Sequence, residues 1–180
     1  MKHFDNIQDL ALDNYGLFTA GESKEFGIAG SELNRWVQTG RIERLGQGVY
    51  RLMKRASTPY DRYAEACALA GKGACLYGES VLEMLGLGMA NPRKMTVAVS
   101  GRARRSVPAW ISVLPHMPIN GTFVEGIPVQ QVADAILSCR KSIMTDRLVA
   151  ATRDARTGGY ITKAEYMNIM RELADGEETE

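Results

Sequence analysis

Glycines at short intervals divide residues 18–52 into short segments. The spacing of these glycines constrains the fold more than any other feature of the chain. Thr19 precedes Glu22 by three residues, the spacing of a capping box in which both side chains bond amide groups at a helix start. Gly27 offers the left-handed backbone conformation that ends a helix at low cost, and Gly40 does the same for a second helix. Two helices joined by a turn of about three residues have the proportions of a helix-turn-helix.

The second predicted helix is amphipathic. Leu33, Trp36 and Val37 recur at helical spacing and predict a buried face. The opposite face carries polar side chains that can bond base edges or phosphates from the major groove. These are Ser31, Asn34, Arg35 and Gln38. A first helix over residues 4–14 is expected to pack against both helices and complete a three-helix core, and Phe18 is expected to form a short strand.

A basic hairpin is predicted directly after the second helix. Residues 41–45 and 49–52 alternate polar and apolar side chains, and the glycines between them favour a tight turn. Leu45 and Tyr50 are expected to join the core, and the Phe18 strand is expected to lie beside the hairpin. A hairpin behind a helix-turn-helix is a wing, so this stretch predicts a winged helix-turn-helix that binds double-stranded DNA.

Charge changes sign within this stretch. Residues 1–34 carry two lysines and six carboxylates, whereas residues 35–55 carry six basic residues and one glutamate. The positive charge falls on the second helix and the wing, where phosphates of bound DNA would lie. The alternative is a solvated basic hairpin on a module that binds protein.

Position in the wing suggests a role for each polar residue. Arg41, Arg44 and Arg51 are predicted to hold phosphates. Gln47, at the wing tip, is predicted to enter the minor groove. Arg44 is next to the tight turn, so it is the arginine that the turn would present most directly.

The rest of the chain predicts a second domain. Residues 54–59 lack apolar periodicity and end in proline, so they are predicted to link a winged domain at 1–53 to a second domain at 60–180. The predicted helices cover 60–70, 78–85, 132–137, 145–155 and 162–173, the predicted strands cover 94–99, 111–114, 122–124 and 127–129, and an acidic tail covers 175–180. The fold class is therefore α+β, an amino-terminal winged helix-turn-helix followed by a small mixed α+β domain with a helical carboxyl terminus.

A block of basic residues lies in this second domain. No acidic residue occurs between Glu83 and Glu125, while the same segment is rich in arginine and lysine. The basic residues of interest are Arg93, Lys94, Arg102, Arg104 and Arg105. The loop 101–106 is predicted to be exposed, where it could extend the DNA footprint, bind RNA, attract an acidic partner, or have no specific role.

The composition gives little support for catalytic or metal chemistry. The chain has two histidines and three cysteines without a C-x-x-C pair, so no metal site is expected and the cysteines are predicted to be reduced core residues. Residues 78–82 begin like a nucleophile elbow but lack its second glycine, and no Asp-x-Asp pair offers a magnesium site. Neither catalysis nor a cofactor is expected. Without a signal peptide or a membrane span in the sequence, a cytoplasmic protein is predicted.

Several motifs resemble one known family. They are a Gly-x-Phe-Thr opening at 16–19, a Gly-Ile turn at 27–28, the run GRIERLGQGVYRL at 40–52 and, less specifically, the segments 78–87, 91–92 and 125–129. This set, spread over most of residues 16–155, is similar to the AbiEi family of antitoxins. The wing is its most specific part.

The resemblance implies partners and a biological role. Such proteins are bacterial antitoxins of type IV toxin–antitoxin systems linked to abortive phage infection. Their winged domain represses its own operon, and the following domain counteracts a nucleotidyltransferase toxin without a stable complex. Two alternatives stay open: a stand-alone winged-helix transcriptional regulator without a toxin partner, and an RNA-binding or adaptor protein in which residues 93–105 matter more than residues 31–51.

Overall fold

The computed structural model describes residues 2–103 and 105–177. They form two compact units. The first contains the described residues up to Lys72 together with 105–108, and the second contains 73–103 and 109–177. Arg104 and the end of the predicted acidic tail, 178–180, lie outside the described residues, whereas Asp175 lies within the last helix.

The first unit confirms the predicted winged helix-turn-helix. Its helices are α1 (Lys2–Leu12), α2 (Ala20–Glu25), α3 (Gly30–Gln38) and α4 (Asp61–Ala70), and its strands are β1 (Leu17–Thr19), β2 (Ile42–Gly46) and β3 (Val49–Leu52). The strands form an antiparallel sheet in the order β1–β3–β2. The expected strand at Phe18 is present, since Phe18 pairs with Tyr50 of β3.

Local sequence signals set the ends of α2 and α3. The Thr19 hydroxyl accepts a hydrogen bond from the Glu22 amide at 3.2 Å, and the Glu22 carboxylate accepts one from the Thr19 amide at 2.6 Å. The predicted capping box is therefore formed. Gly27 and Gly40 follow the two helices with φ of +71° and +67°, a conformation that a residue without a Cβ adopts freely.

The apolar faces of α1, α3 and the sheet meet in one core. Its buried members are Ile7, Ala11, Phe18, Ile28, Leu33, Trp36, Ile42, Tyr50 and Leu52. Phe4 packs edge-on against Trp36 with ring centroids 4.9 Å apart, a favoured aromatic geometry that joins α1 to α3. Val37 and Leu45, both predicted as core residues, are half-buried.

The segment predicted as a linker is bonded to the start of α4. Arg55 donates to the Asp61 carboxylate at 2.6 Å, and Ser57 and Thr58 donate to it at 3.1 and 2.8 Å. Burial alone raises the pKa of Asp61, but these hydrogen bonds outweigh burial and hold the pKa well below its usual range. Residues 54–59 are therefore fastened to the helix that follows them.

The helix α4 lies against the face of the wing sheet that points away from the core. Arg51 alternates with core residues along β3 and donates to Glu65 of α4 at 3.0 Å. Gly46 of β2 is so close to Leu69 of α4 that an added Cβ would lie 2.6 Å from the leucine side chain. The compact units consequently divide after Lys72, whereas the sequence predicts a boundary at 54–59.

The second unit is a mixed sheet with helices. Its strands are β4 (Cys75–Leu76), β5 (Met95–Ala98), β6 (Ile111–Leu114), β7 (Gly121–Val124) and β8 (Ile127–Gln130), and its helices are α5 (Glu79–Met84), α6 (Val132–Ser138), α7 (Thr145–Thr157) and α8 (Lys163–Glu177). The strand order is β6–β5–β4–β8–β7. The predicted elements occur, including the turn at Glu125 and Gly126. The central strand β4 is absent from the sequence prediction.

Ser80 and the cysteines occupy structural positions. Ser80 is fully buried, and its hydroxyl accepts a hydrogen bond from the Thr96 amide at 2.7 Å. Cys67, Cys75 and Cys139 are buried and are not joined in disulfides. Burial raises the pKa of Cys139 to about 12, and a thiol held protonated in this way is a poor nucleophile.

The carboxy-terminal helices follow the predicted signals closely. Thr162 and Glu165 form a second capping box at the start of α8, and hydrogen bonds from Thr162 lower the pKa of Glu165. Thr145 is the first residue of α7, but the residue before it is Met144 and no side chain caps the helix. Among the helices in the described ranges, none combines the length and the apolar character that a membrane span needs.

Candidate nucleic-acid interface

The outward face of α3 is the first part of the candidate interface. Leu33 and Trp36 anchor the opposite face in the core, each with 2% of its surface exposed. Every polar residue predicted for contact with bases or phosphates on this helix is exposed. We call them the recognition face: Ser31, Asn34, Arg35 and Gln38. Their spacing of three and four residues places them along one side of the helix.

The start of α3 is open. The residue before it is Ala29, which makes no side-chain hydrogen bond to the helix. Gly30 is exposed, and the position that a Cβ would take has no atom within 4 Å. The first amide groups of the helix are therefore accessible at the positive end of its dipole, an arrangement that suits a phosphate.

Arg35 is the exposed cation of the recognition face. It donates to Glu32, one turn earlier, at 3.3 Å, while 69% of its side chain is exposed. An exposed pair of this kind contributes roughly 0–1 kcal/mol to stability. Arg35 can therefore exchange the Glu32 carboxylate for a phosphate or a base edge at little cost.

The wing tip forms a tight turn. Gly48 has φ of +69°, and the pairing of β2 with β3 shifts by one residue between Arg44 and Gly46. Such a bulge increases the local twist of a hairpin. Gln47 is exposed at the tip, the position from which the sequence predicts contact with the minor groove.

The exposed Arg44 side chain rests on a buried tyrosine. Its guanidinium donates to the Tyr50 hydroxyl at 2.7 Å and lies 5.3 Å from the centre of the Tyr50 ring. Tyr50 is 2% exposed and stacks on Phe18 with centroids 5.6 Å apart. The arginine itself is exposed, so the wing presents its charge in a defined position.

Arg51 lies in an internal ion-pair network. It donates to Glu43 of β2 at 2.7 Å and to Glu65 of α4 at 3.0 Å, with 26% of its side chain exposed. Burial raises the pKa of Glu65, although the positive charge of Arg51 opposes that shift. Because two carboxylates already engage this guanidinium, the structure argues against its predicted contact with phosphate.

Arg41 immediately precedes β2. Its guanidinium lies 4.8 Å from the centre of the Phe4 ring of α1, and its side chain is exposed. Within the described part of the chain, neither Arg41 nor Arg44 lies within ion-pair distance of a carboxylate. Both therefore keep their charge available for a partner.

The structure divides the predicted secondary basic patch. Arg93 and Lys94 precede β5 and Arg102 follows it, so the strand separates them by about 13 Å at the usual rise per residue. Arg105 belongs to the first unit, where it is half-buried and donates to the Ala68 carbonyl of α4 at 3.2 Å. The fifth predicted member, Arg104, is not among the described residues. Within the second unit, Arg93 and Lys94 therefore lie at the opposite end of β5 from Arg102.

Sequence reasoning assigned Tyr50 to the core and missed its contact with Arg44. The signal for that contact is the register of the hairpin. Arg44 and Tyr50 are equidistant from Gln47 at the turn, and the structure pairs them directly across the two strands. Cross-strand pairs of this kind are a main source of side-chain contacts in sheets.

Comparison with known protein families agrees with the geometry. Residues 5–52 match the family described as "Transcriptional regulator, AbiEi antitoxin". The match spans α1 to β3 and confirms the resemblance found in the wing, so the winged module of this chain is similar to that of AbiEi transcriptional regulators. No curated protein matches the chain.

Proposed function

We propose that this protein is a DNA-binding autorepressor and the antitoxin of a type IV toxin–antitoxin system linked to abortive infection. The observation that carries the proposal is the exposed, polar recognition face of α3, together with the exposed Arg44 of the wing. Operator DNA in the cytoplasm and a nucleotidyltransferase toxin are its partners. The protein itself performs no catalysis and needs no cofactor.

The recognition face enters the major groove. Arg35 has the forked donor geometry that matches guanine, while Asn34 and Gln38 carry the amides that pair with adenine. Ser31 and the open amide groups at the start of α3 hold a backbone phosphate. These contacts set the sequence preference and the position of the helix together.

The wing contacts the flanking backbone. Arg41 and Arg44 hold phosphates, and Gln47 enters the adjacent minor groove. The proposed interface therefore contains every residue that the sequence predicts for the winged module except Arg51. The charge of Arg51 is already paired with Glu43 and Glu65.

The antitoxin role rests on the family whose description the winged module matches. In this proposal the second unit counteracts the nucleotidyltransferase toxin without forming a stable complex with it. The toxin would then supply the catalysis for which this sequence offers no residues. Expression of the neighbouring toxin gene should arrest growth, and co-expression of this protein should restore it without the two proteins co-purifying.

A gel-shift titration tests the DNA half. The probe is the duplex immediately upstream of the gene, and Arg35→Ala should weaken its binding by about tenfold because a bidentate base contact is worth roughly 1–3 kcal/mol. Lys72→Ala removes an exposed charge elsewhere in the same unit and serves as the control. Equal affinity of both variants and the parent would contradict the assignment of the recognition face.

A stand-alone transcriptional regulator is the second candidate. The observation that favours it is the extent of the family match, which ends at residue 52 and leaves the second unit unmatched. This candidate predicts the same operator binding but no relief of toxicity. The co-expression experiment separates the two.

A further inference from the structure

A groove of about 400 Å³ lies in the first unit at the base of the wing, and its described lining contains neither a residue of the recognition face nor Gln47 of the wing tip. It is bordered by α1, the residues that follow α3 and the outer ends of β2 and β3. Its lining includes Phe4, Gln8, Gly40, Arg41, Leu52 and Lys54. We propose that this groove binds a phosphate group.

The charge of the groove favours an anion. Arg41 and Lys54 are both exposed, and none of the described residues that line the groove is acidic. The Met53 amide donates to the Arg41 carbonyl at 3.1 Å, so the backbone holds Lys54 next to Arg41. Two cations that share a concave surface without a carboxylate form a natural site for phosphate.

One of these cations is already in position. The Arg41 guanidinium lies over the Phe4 ring at 4.8 Å, and Phe4 in turn packs against the buried Trp36. An arginine held against an aromatic face loses less conformational freedom when it binds a ligand. Its planar fork can donate two parallel hydrogen bonds to phosphate oxygens.

The remaining lining suits more than a bare ion. Leu52 is buried beneath the groove, Gln8 offers an amide from α1, and no atom lies within 4 Å of the position that a Cβ on Gly40 would take. The volume falls within the range of about 300–1,000 Å³ that is typical of small-molecule sites. A phosphate attached to a base or sugar would therefore fit.

Two sources can supply such a phosphate. One is the backbone of bound duplex DNA, and this source rests on the proposed function. The other is a free nucleotide, which would bind whether or not the protein binds DNA. The chemistry in the groove is the same for both.

The test uses the full chain and three probes: inorganic phosphate, AMP and a short DNA duplex. Gln8→Glu adds a carboxylate to the lining of the groove with almost no change in shape, and Lys54→Ala removes one cation. Lys54→Arg should restore binding, while Lys72→Ala is the charge-matched control. Circular dichroism of each variant establishes that it is folded. The amide resonance of Gly40 reports occupancy of the groove, and fluorescence anisotropy reports duplex affinity.

If the duplex supplies the phosphate, Gln8→Glu and Lys54→Ala lower duplex affinity by about three- to tenfold, and the slope of log K against log salt falls by about 0.9, the value for one phosphate. If a free nucleotide supplies it, AMP or phosphate shifts the Gly40 resonance and both variants abolish that shift. Either result supports the proposal.

The proposal is overturned if neither small probe moves the Gly40 resonance and both groove variants bind duplex as the Lys72→Ala control does. Absence of duplex binding by the parent protein would count against the proposed function alone. In that case the response of the Gly40 resonance to AMP and phosphate shows whether the groove binds a phosphate group.

Discussion

The two faces of the wing sheet carry similar arginines in opposite situations. Arg44 shares its face with the core, rests on Tyr50 and projects its charge outward. Arg51 points to the other face, where Glu43 and Glu65 engage both ends of its guanidinium. The arginines of a basic wing are therefore not all equally available to bind DNA. Strand alternation and the helix packed on one face decide which charges are available.

Because of this difference, we expect Arg51 to affect mainly folding stability and Arg44 to affect mainly binding. The Arg51 network joins α4 to the wing and contributes to folding, whereas the Arg44 guanidinium makes one hydrogen bond and one ring contact, both with Tyr50, among the described residues. Substitutions on the two faces should therefore produce opposite patterns of effect.

The largest expected effect is on the α4 face. Arg51→Ala should lower the free energy of unfolding by about 2 kcal/mol, because it leaves the partly buried Glu65 carboxylate without its partner and also removes the ion pair with the exposed Glu43. Urea denaturation measures the change. Duplex affinity of the folded variant should stay within about twofold of the parent, since the side chain is already neutralised.

A matched variant sharpens this prediction. Combining Arg51→Met with Glu43→Gln and Glu65→Gln removes all three charges together, so most of the lost stability should return. A large loss of duplex affinity in Arg51→Ala, with stability intact, would reverse the assignment of the two faces.

On the opposite face, Arg44→Ala should weaken duplex binding by about tenfold because a charge-assisted hydrogen bond to phosphate is lost. The free energy of unfolding should fall by less than about 1 kcal/mol. Gel-shift titration and urea denaturation of the same preparation measure both quantities. If Arg44→Ala and Arg51→Ala show the same balance of losses, the comparison between the faces fails.

Tyr50→Phe isolates the support beneath Arg44. The ring stays in the core, and only the hydroxyl that accepts the Arg44 hydrogen bond is removed. We expect duplex affinity to fall by about threefold and stability to fall by about 1 kcal/mol. In combination with Arg44→Ala the affinity loss should not increase further, which a double-mutant cycle would detect. Additive losses would mean that Tyr50 does not act through Arg44.

The smallest effects should appear in the dependence of stability on pH. The pKa of Asp61 is lowered in the folded protein, so its contribution is present above an ordinary carboxyl pKa and is lost as pH falls below it. The pKa of Glu65 is raised, so the folded state gains stability relative to the unfolded state as pH falls from neutral through that pKa.

Two isosteric variants separate these contributions. Asp61→Asn should reduce the loss of folding stability that occurs as pH falls below an ordinary carboxyl pKa. Glu65→Gln should remove the gain in folding stability that occurs as pH falls from neutral. Urea denaturation at a series of pH values provides the measurement. Identical pH profiles for the parent and both variants would show that neither carboxyl is shifted by folding.

The ends of the winged helices could be predicted because their signals are local. Thr19 and Glu22 form a capping box, and Gly27 and Gly40 follow the ends of the two helices. Each of these residues lies within a few positions of the helix end that it determines. The recognition face follows from helical spacing alone, since Trp36 is buried and its polar neighbours are exposed. Such features depend little on the rest of the fold.

The parts that the sequence did not predict depend on distant contacts. Arg51 meets Glu65 across a separation of 14 residues, and nothing in the spacing of α4 indicates which surface it covers. The strand β4 contains only Cys75 and Leu76, too few residues to show alternation, yet it lies at the centre of the second sheet. Tertiary context alone defines both.

The attachment of α4 sets the size of the piece that can be moved between proteins. The family match ends at residue 52, but a chain cut there would lose Glu65 and expose the surface around Gly46 on which Leu69 rests. A domain swap designed at the family boundary would transplant the proposed DNA-binding surface without the helix α4 that packs against the opposite face of the wing sheet. A unit for exchange should therefore extend at least to Lys72, and residues 105–108 also belong to the same compact unit.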